Sequence, residues 1–271
     1  MVLEVEATEF LGRAMTGRSH PMQCECEDEE GASYSVFVKF TGFHADLTSD
    51  HLVGELVANL FALDLGLPAA QPCLVRIGEE FVDTLPDDEI GAALRQALHG
   101  APVVAFGSVQ LTPVRRWEAT DLVHKNQMIE AAKLYLFDTL VENSDRGLGN
   151  PNLLMSGSDF KVIDFGHSFQ RCHVANDYQM ARMPWQNGGI GNHFAGNLQH
   201  IMFNSCRSAE HRHIEDFKDT LGGLNDATIE DYITSVPGSW GQDTACQIID
   251  YLLEARAHAQ EFIDQVRGVL T

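Results

Sequence analysis

Hydrophobic and polar positions change their period along the chain. In the first hundred residues the alternation is mostly two-residue, the spacing of half-buried strands. Val5 to Met15 and Pro21 to Glu27 read as strands around a turn, and Ser33-Tyr34-Ser35-Val36-Phe37-Val38-Lys39-Phe40 is a β-rich run ending near a lysine. Gln71 to Ile77 and Glu80 to Thr84 read as further strands, and Val103 to Val109 is an apolar run with Gly107 as a break, as expected where a last strand enters a hinge. A helix is predicted over Ser49 to Leu65. Asp50 can cap it, Leu52, Leu56, Leu60 and Leu63 form its apolar stripe, and Gly66 and Pro68 end it. Asp87 to Leu98 reads as a short helix.

After Asp121 the period becomes helical. Asn126 to Glu142 carries Ile129, Ala132, Lys133, Leu136 and Leu140 at spacings of three and four. Leu153-Leu154-Met155 and Phe160-Lys161-Val162-Ile163 flank the turn-forming Ser156-Gly157-Ser158-Asp159, which predicts a hairpin. Ala209 to Leu221, Asp226 to Val236 and Asp243 to Val266 read as helices, whereas His167 to Gly196 is irregular and long enough to expect a working loop. The fold class is therefore α+β, β-rich over residues 1–110 and mostly helical over 111–271.

The polar residues between the helix at Asn126 and the end of the hairpin carry the chemistry. Glu142-Asn143-Ser144-Asp145-Arg146-Gly147-Leu148-Gly149-Asn150 is followed by Asp164-Phe165-Gly166. An Asp, an Asn five residues on and a later Asp-Phe-Gly are what a phosphotransferase places beside the terminal phosphate of ATP. Asp145 suits the orientation of a hydroxyl and acceptance of its proton. Asn150 and Asp164 offer the hard oxygen ligands that Mg²⁺ prefers, and Gly166 is expected to let the backbone turn. Such residues in isolation are usually turn formers. Their order of helix, loop, hairpin and Asp-Phe-Gly favours catalysis.

That chemistry asks for a strand lysine and a helix glutamate upstream, and Lys39 and Glu55 are the candidates. The segment Gly12-Arg13-Ala14-Met15-Thr16-Gly17-Arg18-Ser19 has Walker-like spacing, with Arg where the lysine belongs. It is followed by a strand pattern rather than a helix, so it reads as a turn closing over the phosphates with its amides.

Composition narrows the partners. A net charge of −21 over 271 residues disfavours extended nucleic-acid or anionic-membrane binding. Arg115-Arg116-Trp117 is the one tight basic-aromatic cluster and reads as ion pairing and stacking. No stretch has the length of a membrane span or the form of a signal peptide, and the six cysteines contain no C-x-x-C, so a cytoplasmic chain with reduced thiols is expected. His211 and His213, two apart on a helix, suit no zinc site and read as solvated. His167 and His173 lie nearer the chemistry, with structural or substrate-contacting roles expected.

Thr16 to Pro21, Val38-Lys39-Phe40, Gly54-Glu55-Leu56, Leu65-Gly66-Leu67-Pro68, Asn143-Ser144-Asp145-Arg146, Asn150-Pro151-Asn152-Leu153-Leu154 and Ile163 to Phe169 together resemble the HipA-like kinases, in particular their compact branch. The resemblance implies a bilobal protein-kinase-like fold, related also to phosphoinositide kinases, and Mg-ATP-dependent Ser/Thr phosphorylation of a protein. Asp145 would be catalytic, Asn150 and Asp164 the magnesium ligands, and Lys39 and Glu55 the ATP-phosphate pair. Thr16, Gly17, Arg18 and Ser19 would form the phosphate loop, with Thr16 or Ser19 as an autophosphorylation site. The family's best-known members are toxins of toxin–antitoxin pairs, which brings in an antitoxin as a partner. The sequence departs from many relatives in having Gly147 where a His follows Asp-Arg, and Asn152 competes with Asn150 as a metal ligand. A small-molecule or lipid-headgroup kinase and an inactive nucleotide-binding regulator are the alternatives.

Overall fold

The computed structural model describes residues 2–14, 21–44, 46–118, 120–174, 182–190, 200–207 and 211–270, with backbone only at 211 and 212. Five strands close a barrel in the order β1-β2-β3-β5-β4: β1 (Leu3–Arg13), β2 (Met22–Glu27), β3 (Ser33–Lys39), β4 (Pro72–Ile77) and β5 (Val103–Val109). Every pairing is antiparallel except β1 with β4, where Leu3 lies beside Cys73 in parallel register. Alternate residues of each strand fill the barrel, among them Val5, Cys24, Cys26, Val36, Val38, Cys73, Val75 and Ala105. Gly107 does not break β5. A Cβ there would run into Cys73, Val75 and Val36, so the glycine is where neighbouring strands crowd the barrel interior.

The run predicted as a strand at Glu80 to Thr84 is instead the short helix α2 (Glu79–Asp83). Two glutamates in its first turn favour the positive end of a helix dipole, and Phe81 points into the barrel core. The helix expected near Asp87 is α3 (Glu89–Ala97), capped by Asp88, whose side chain accepts from the Gly91 N–H at 2.8 Å.

Helix α1 (Ser49–Asp64) follows β3, with Thr48 at its N-cap rather than Asp50. Asp50 sits in the first turn and accepts a hydrogen bond from Thr244 at 2.6 Å, while Asp64 at the other end accepts one from Tyr232 at 2.6 Å. The single apolar stripe expected for α1 is also too narrow. Residues 52–59 are all buried, because the helix belongs to the second core and meets helices as well as the barrel.

That second core is built on α4 (Met128–Leu140), which is buried on nearly all sides from Ala131 onward, although Ile129 of the predicted stripe is exposed. Around it lie α5 (Phe203–Arg207), α6 (His211–Gly223), α7 (Asp226–Asp231), α8 (Gln242–Ala257) and α9 (Ala259–Leu270). The long helix expected from Asp243 to Val266 is thus two. It breaks at His258, whose ring stacks on Trp185 at 5.9 Å, and α9 then turns so that Phe262 meets Phe217 of α6. Asp226 to Val236 tightens after α7 into a 3₁₀ turn over Tyr232–Ser235.

A small sheet of β6 (Arg115–Arg116), β7 (Leu153–Ser156) and β8 (Asp159–Val162) packs its buried residues into the second core. Gly157, at φ +60°, turns the hairpin. Arg115 pairs with Asp121 at 2.7 Å and Trp117 packs edge-on against Phe160. His213 is buried on α6, contrary to the solvated role expected for it. The side chain of His211, the predicted strand end at Met15 and most of the irregular loop after Val174 lie outside the described residues. No described helix is long and apolar enough to cross a membrane.

Candidate active site

Lys39 leaves the barrel at the end of β3 and points at α1. Its ammonium donates to Glu55 Oε1 at 2.7 Å and Oε2 at 2.9 Å, and to Asp164 Oδ1 at 2.9 Å. Three residues predicted separately from a strand, a helix and a hairpin end thus meet at one nitrogen. Lys39 and Glu55 are almost wholly buried, while Asp164 keeps a quarter of its side chain exposed. Burial works against the Lys39 charge, but Asp164 and Glu55 outweigh it and raise the lysine pKa above its ordinary value. Burial pushes the Glu55 carboxyl up to about 7, with Lys39 pulling the other way. Asp164 is also desolvated, yet the facing ammonium lowers its pKa. The directions differ because one ammonium serves two carboxylates, and Glu55 is the more deeply buried of the two.

Glu55 has a testable consequence. With its pKa raised from 4.5 to about 7, the folded protein holds a proton that the unfolded chain has released, so this group's contribution to stability falls as pH rises through that window. The ion pair with Lys39 is complete above it. The kcat/KM for ATP is expected to climb with pH along a limb centred near 7, and that limb should vanish in Glu55→Gln. An unchanged limb in the variant, seen in a pH–rate series, assigns it elsewhere.

The turn at Asp164-Phe165-Gly166 is made by Asp164 and not by Gly166. Asp164 has φ +60°, a conformation that Asp tolerates better than most side chains, whereas Gly166 is absent from the left-handed residues. Gly166 matters for closeness: a Cβ there would lie 3.3 Å from Glu55 Oε2. Gly54 acts alike, since a Cβ would come within 3.1 Å of the Ser168 carbonyl and 3.4 Å of His173. Two glycines therefore let α1 lie against the segment after Asp164. His173 is buried there with its ring 4.9 Å from that of His51, and burial first, then His51, lower its pKa to about 4.

Asp145 and Asn150 line the same cleft as Lys39, Glu55 and Asp164. The Asn150 amide donates to Asp145 Oδ2 at 2.7 Å, and Asn152 donates to the same oxygen at 3.2 Å. Asn150 faces the cleft with its amide oxygen turned from Asp145, whereas Asn152 is buried with φ +44° and does not line it. Two oxygen donors of hard character, Asp164 and Asn150, thus border one cleft, which fits a magnesium ion. Thr16, Gly17, Arg18 and Ser19 lie outside the described residues.

Sequence reasoning missed what holds this loop. Asp138, inside an apolar stretch of α4, is wholly buried and accepts from Arg146 Nε at 2.5 Å, from Asn143 at 3.0 Å and from His200 Nε2 at 2.8 Å. Because the Met202 N–H donates to Nδ1 of His200, the ring is the neutral Nε2–H tautomer, and burial lowers its pKa despite the carboxylate. Arg146 also donates to the carbonyls of Asn152 at 2.5 Å and Ile163 at 3.1 Å, tying the loop to the residue before Asp164. An acid set inside the apolar run from Leu134 to Leu140 was the available signal for Asp138; His200 had none.

A HipA-like kinase family model matches residues 7–184, about two thirds of the chain. The chain belongs to the HipA-like kinase family. This HipA-like kinase is similar in structure to a Helicobacter pylori proinflammatory kinase, CtkA, with 12% identity, 100% of both chains covered and a TM-score of 0.55, a likeness of fold. A hydra Fam20 structure with sugar matches at 10% identity over 96% of this chain and 86% of that one, TM-score 0.48. A Golgi casein kinase with Mn and ADP bound matches at 12% identity over 99% and 74%, TM-score 0.44. A search of curated sequences finds no match. The family and the shared fold make this α+β chain a phosphotransferase.

Proposed function

We propose that this HipA-like kinase transfers the γ-phosphate of Mg-ATP to a hydroxyl, that of a Ser or Thr in a protein. The observation that carries this is the meeting of Lys39, Glu55 and Asp164 at one ammonium, on a cleft also lined by Asp145 and Asn150. In this proposal the barrel with α1 through residue 110 forms one lobe, residues 111–271 the other, and the nucleotide lies between them.

Each side chain then has a task. Lys39 holds the α- and β-phosphates, and Glu55 keeps its ammonium aimed. Asp145, steadied on one oxygen by Asn150 and Asn152, presents the other to the acceptor hydroxyl and takes its proton as the new O–P bond forms and the γ-phosphorus parts from the bridging oxygen, which leaves with ADP. Asp164 and Asn150 would hold magnesium, which when bound neutralises charge growing on the phosphate oxygens. The rest is positioning, which suits a reaction needing little covalent work from the protein.

A protein acceptor suits the charge. A body at −21 attracts a basic polypeptide and repels anionic headgroups. Incubating the protein with γ-labelled ATP, Mg²⁺ and a cell lysate tests this. Label on Ser or Thr of a protein is expected, and label only on a small molecule or lipid overturns the acceptor class. Nucleotide binding without any transfer overturns the activity.

A further inference from the structure

Arg171 ties the segment after Asp164-Phe165-Gly166 to the loop that carries Asp145. It lies in the 3₁₀ turn Gln170–Cys172, and its guanidinium grips Glu142 through both carboxylate oxygens, Nε to Oε2 at 2.6 Å and Nη2 to Oε1 at 2.5 Å. Both side chains are more than nine-tenths buried. Arg171 also donates to the Arg182 carbonyl at 2.8 Å, touches the Met183 sulfur and sits over the Tyr251 ring of α8 at 5.7 Å. One cation therefore fastens the start of the catalytic loop, the segment after Asp164, residues 182–183 and α8.

Glu142 is held in a conformation it would not choose. Its φ is +57°, as is that of Phe169, whose N–H donates to the Val141 carbonyl at 2.8 Å. All four non-glycine residues with positive φ among the described residues fall between Glu142 and Phe169. Such backbone persists only where surrounding contacts over-determine it.

In protein kinases the equivalent segment is commonly ordered by a phosphate that pairs with arginine, and the lysine–glutamate pair is assembled by movement of the helix bearing the glutamate. Here the anion is a carboxylate already in the chain. Between Phe165 and Ile190 the hydroxyl side chains are Ser168, which is fully buried, and Tyr178, which lies outside the described residues. Helix α1, bearing Glu55, is fastened at both ends through Asp50–Thr244 and Asp64–Tyr232.

Resting on the function proposed above, we infer that Arg171 is a positioning residue whose paired Glu142 replaces an activating phosphate, so that the kinase works with no phosphate on the segment after Asp164. Bidentate geometry is the essential part, and lysine cannot reproduce it.

Wild-type protein treated with phosphatase, and shown phosphate-free by mass spectrometry, should phosphorylate its acceptor at an undiminished initial rate. A rise of about tenfold or more that accompanies phosphate on Ser168 or Tyr178 overturns the inference. Arg171→Lys, assayed well below its melting temperature, should lose about tenfold in kcat with KM for ATP changed less than about twofold. Wild-type kcat in that variant also overturns it. Hydrogen exchange reads the lock without any turnover: amides of Gln170–Cys172 should exchange about tenfold faster in Arg171→Lys while those of α4 stay protected, and unchanged exchange overturns the inference even if no acceptor is ever found. Should Arg171→Lys fail to fold, Glu142→Asp, which shortens the carboxylate and keeps its charge, takes its place with the same expected outcomes.

Discussion

Replacing Asp164 with alanine is expected to lower phosphotransfer by about 10³-fold, about 4 kcal/mol of transition-state stabilisation. The side chain does two things that alanine cannot. It supplies a carboxylate to the cleft, and it is one of the two anions that hold the Lys39 ammonium, at 2.9 Å. The backbone confuses the alanine variant, because Asp164 has φ +60° and alanine lacks the polar group that eases this left-handed conformation for aspartate. Asp164→Asn separates the effects: asparagine accepts the same backbone and nearly the same shape but carries no charge. Both variants should be inactive in a labelled-ATP assay and both lose the charge that meets Lys39, with the alanine variant the less stable of the two. Near-normal turnover by Asp164→Asn would remove this carboxylate from the mechanism.

The second large effect is on folding. Asp138→Asn should destabilise the protein by about 3–5 kcal/mol, because the Arg146 guanidinium is left buried without its anion. Denaturant unfolding measures this directly. The charge also gives a pH signature. Asp138 has its pKa lowered, against the pull of burial, chiefly by Arg146 and then by His200, so its stabilisation is present above the unfolded carboxylate pKa and is lost as pH falls through the folded one. Acid unfolding of the wild type should be steeper than that of the variant. The double substitution Asp138→Leu with Arg146→Met should regain part of the lost stability, since a buried ion pair can be replaced by apolar groups. It should not regain activity, because the Asn152 and Ile163 carbonyls lose the donor that joins the two catalytic segments. Recovery of full activity in the double variant would reduce Arg146 to a packing residue.

Particular elements show how far the pattern of residues carried. The strand ending at Lys39, the helix bearing Glu55, the helix before Asp145 and the hairpin before Asp164 stand within a few residues of where their periodicity put them. Each is specified by neighbours in sequence: alternation for a strand, three-and-four spacing for a helix, glycine and serine for the turn. Misreadings arose where that local information ran short. Glu80 to Thr84 is too short to distinguish strand from helix, and Glu80 together with Glu79 just before it favours the helix through the terminal dipole. The break at His258 accompanies ring stacking on Trp185, 73 residues earlier in the chain, which no window around Asp243 to Val266 contains. The stripes of α1 and α4 are misleading for a related reason: a helix covered on every side has no solvent face to mark.

Residue types and order by themselves pointed to the chemistry this HipA-like kinase can offer: a lysine, three carboxylates and an asparagine in kinase order, on elements able to carry them. Only tertiary structure decided how they are held. It brought Lys39 and Asp164, 125 positions apart, to one bond, left Asn150 facing the cleft and Asn152 buried, and turned the chain at Asp164. It also enlisted Asp138, Glu142, Arg171 and His200 as supports. The physical reason is that a buried charge is tolerated only where a counter-charge meets it, and that meeting is a property of packed surfaces rather than of spacing along the chain.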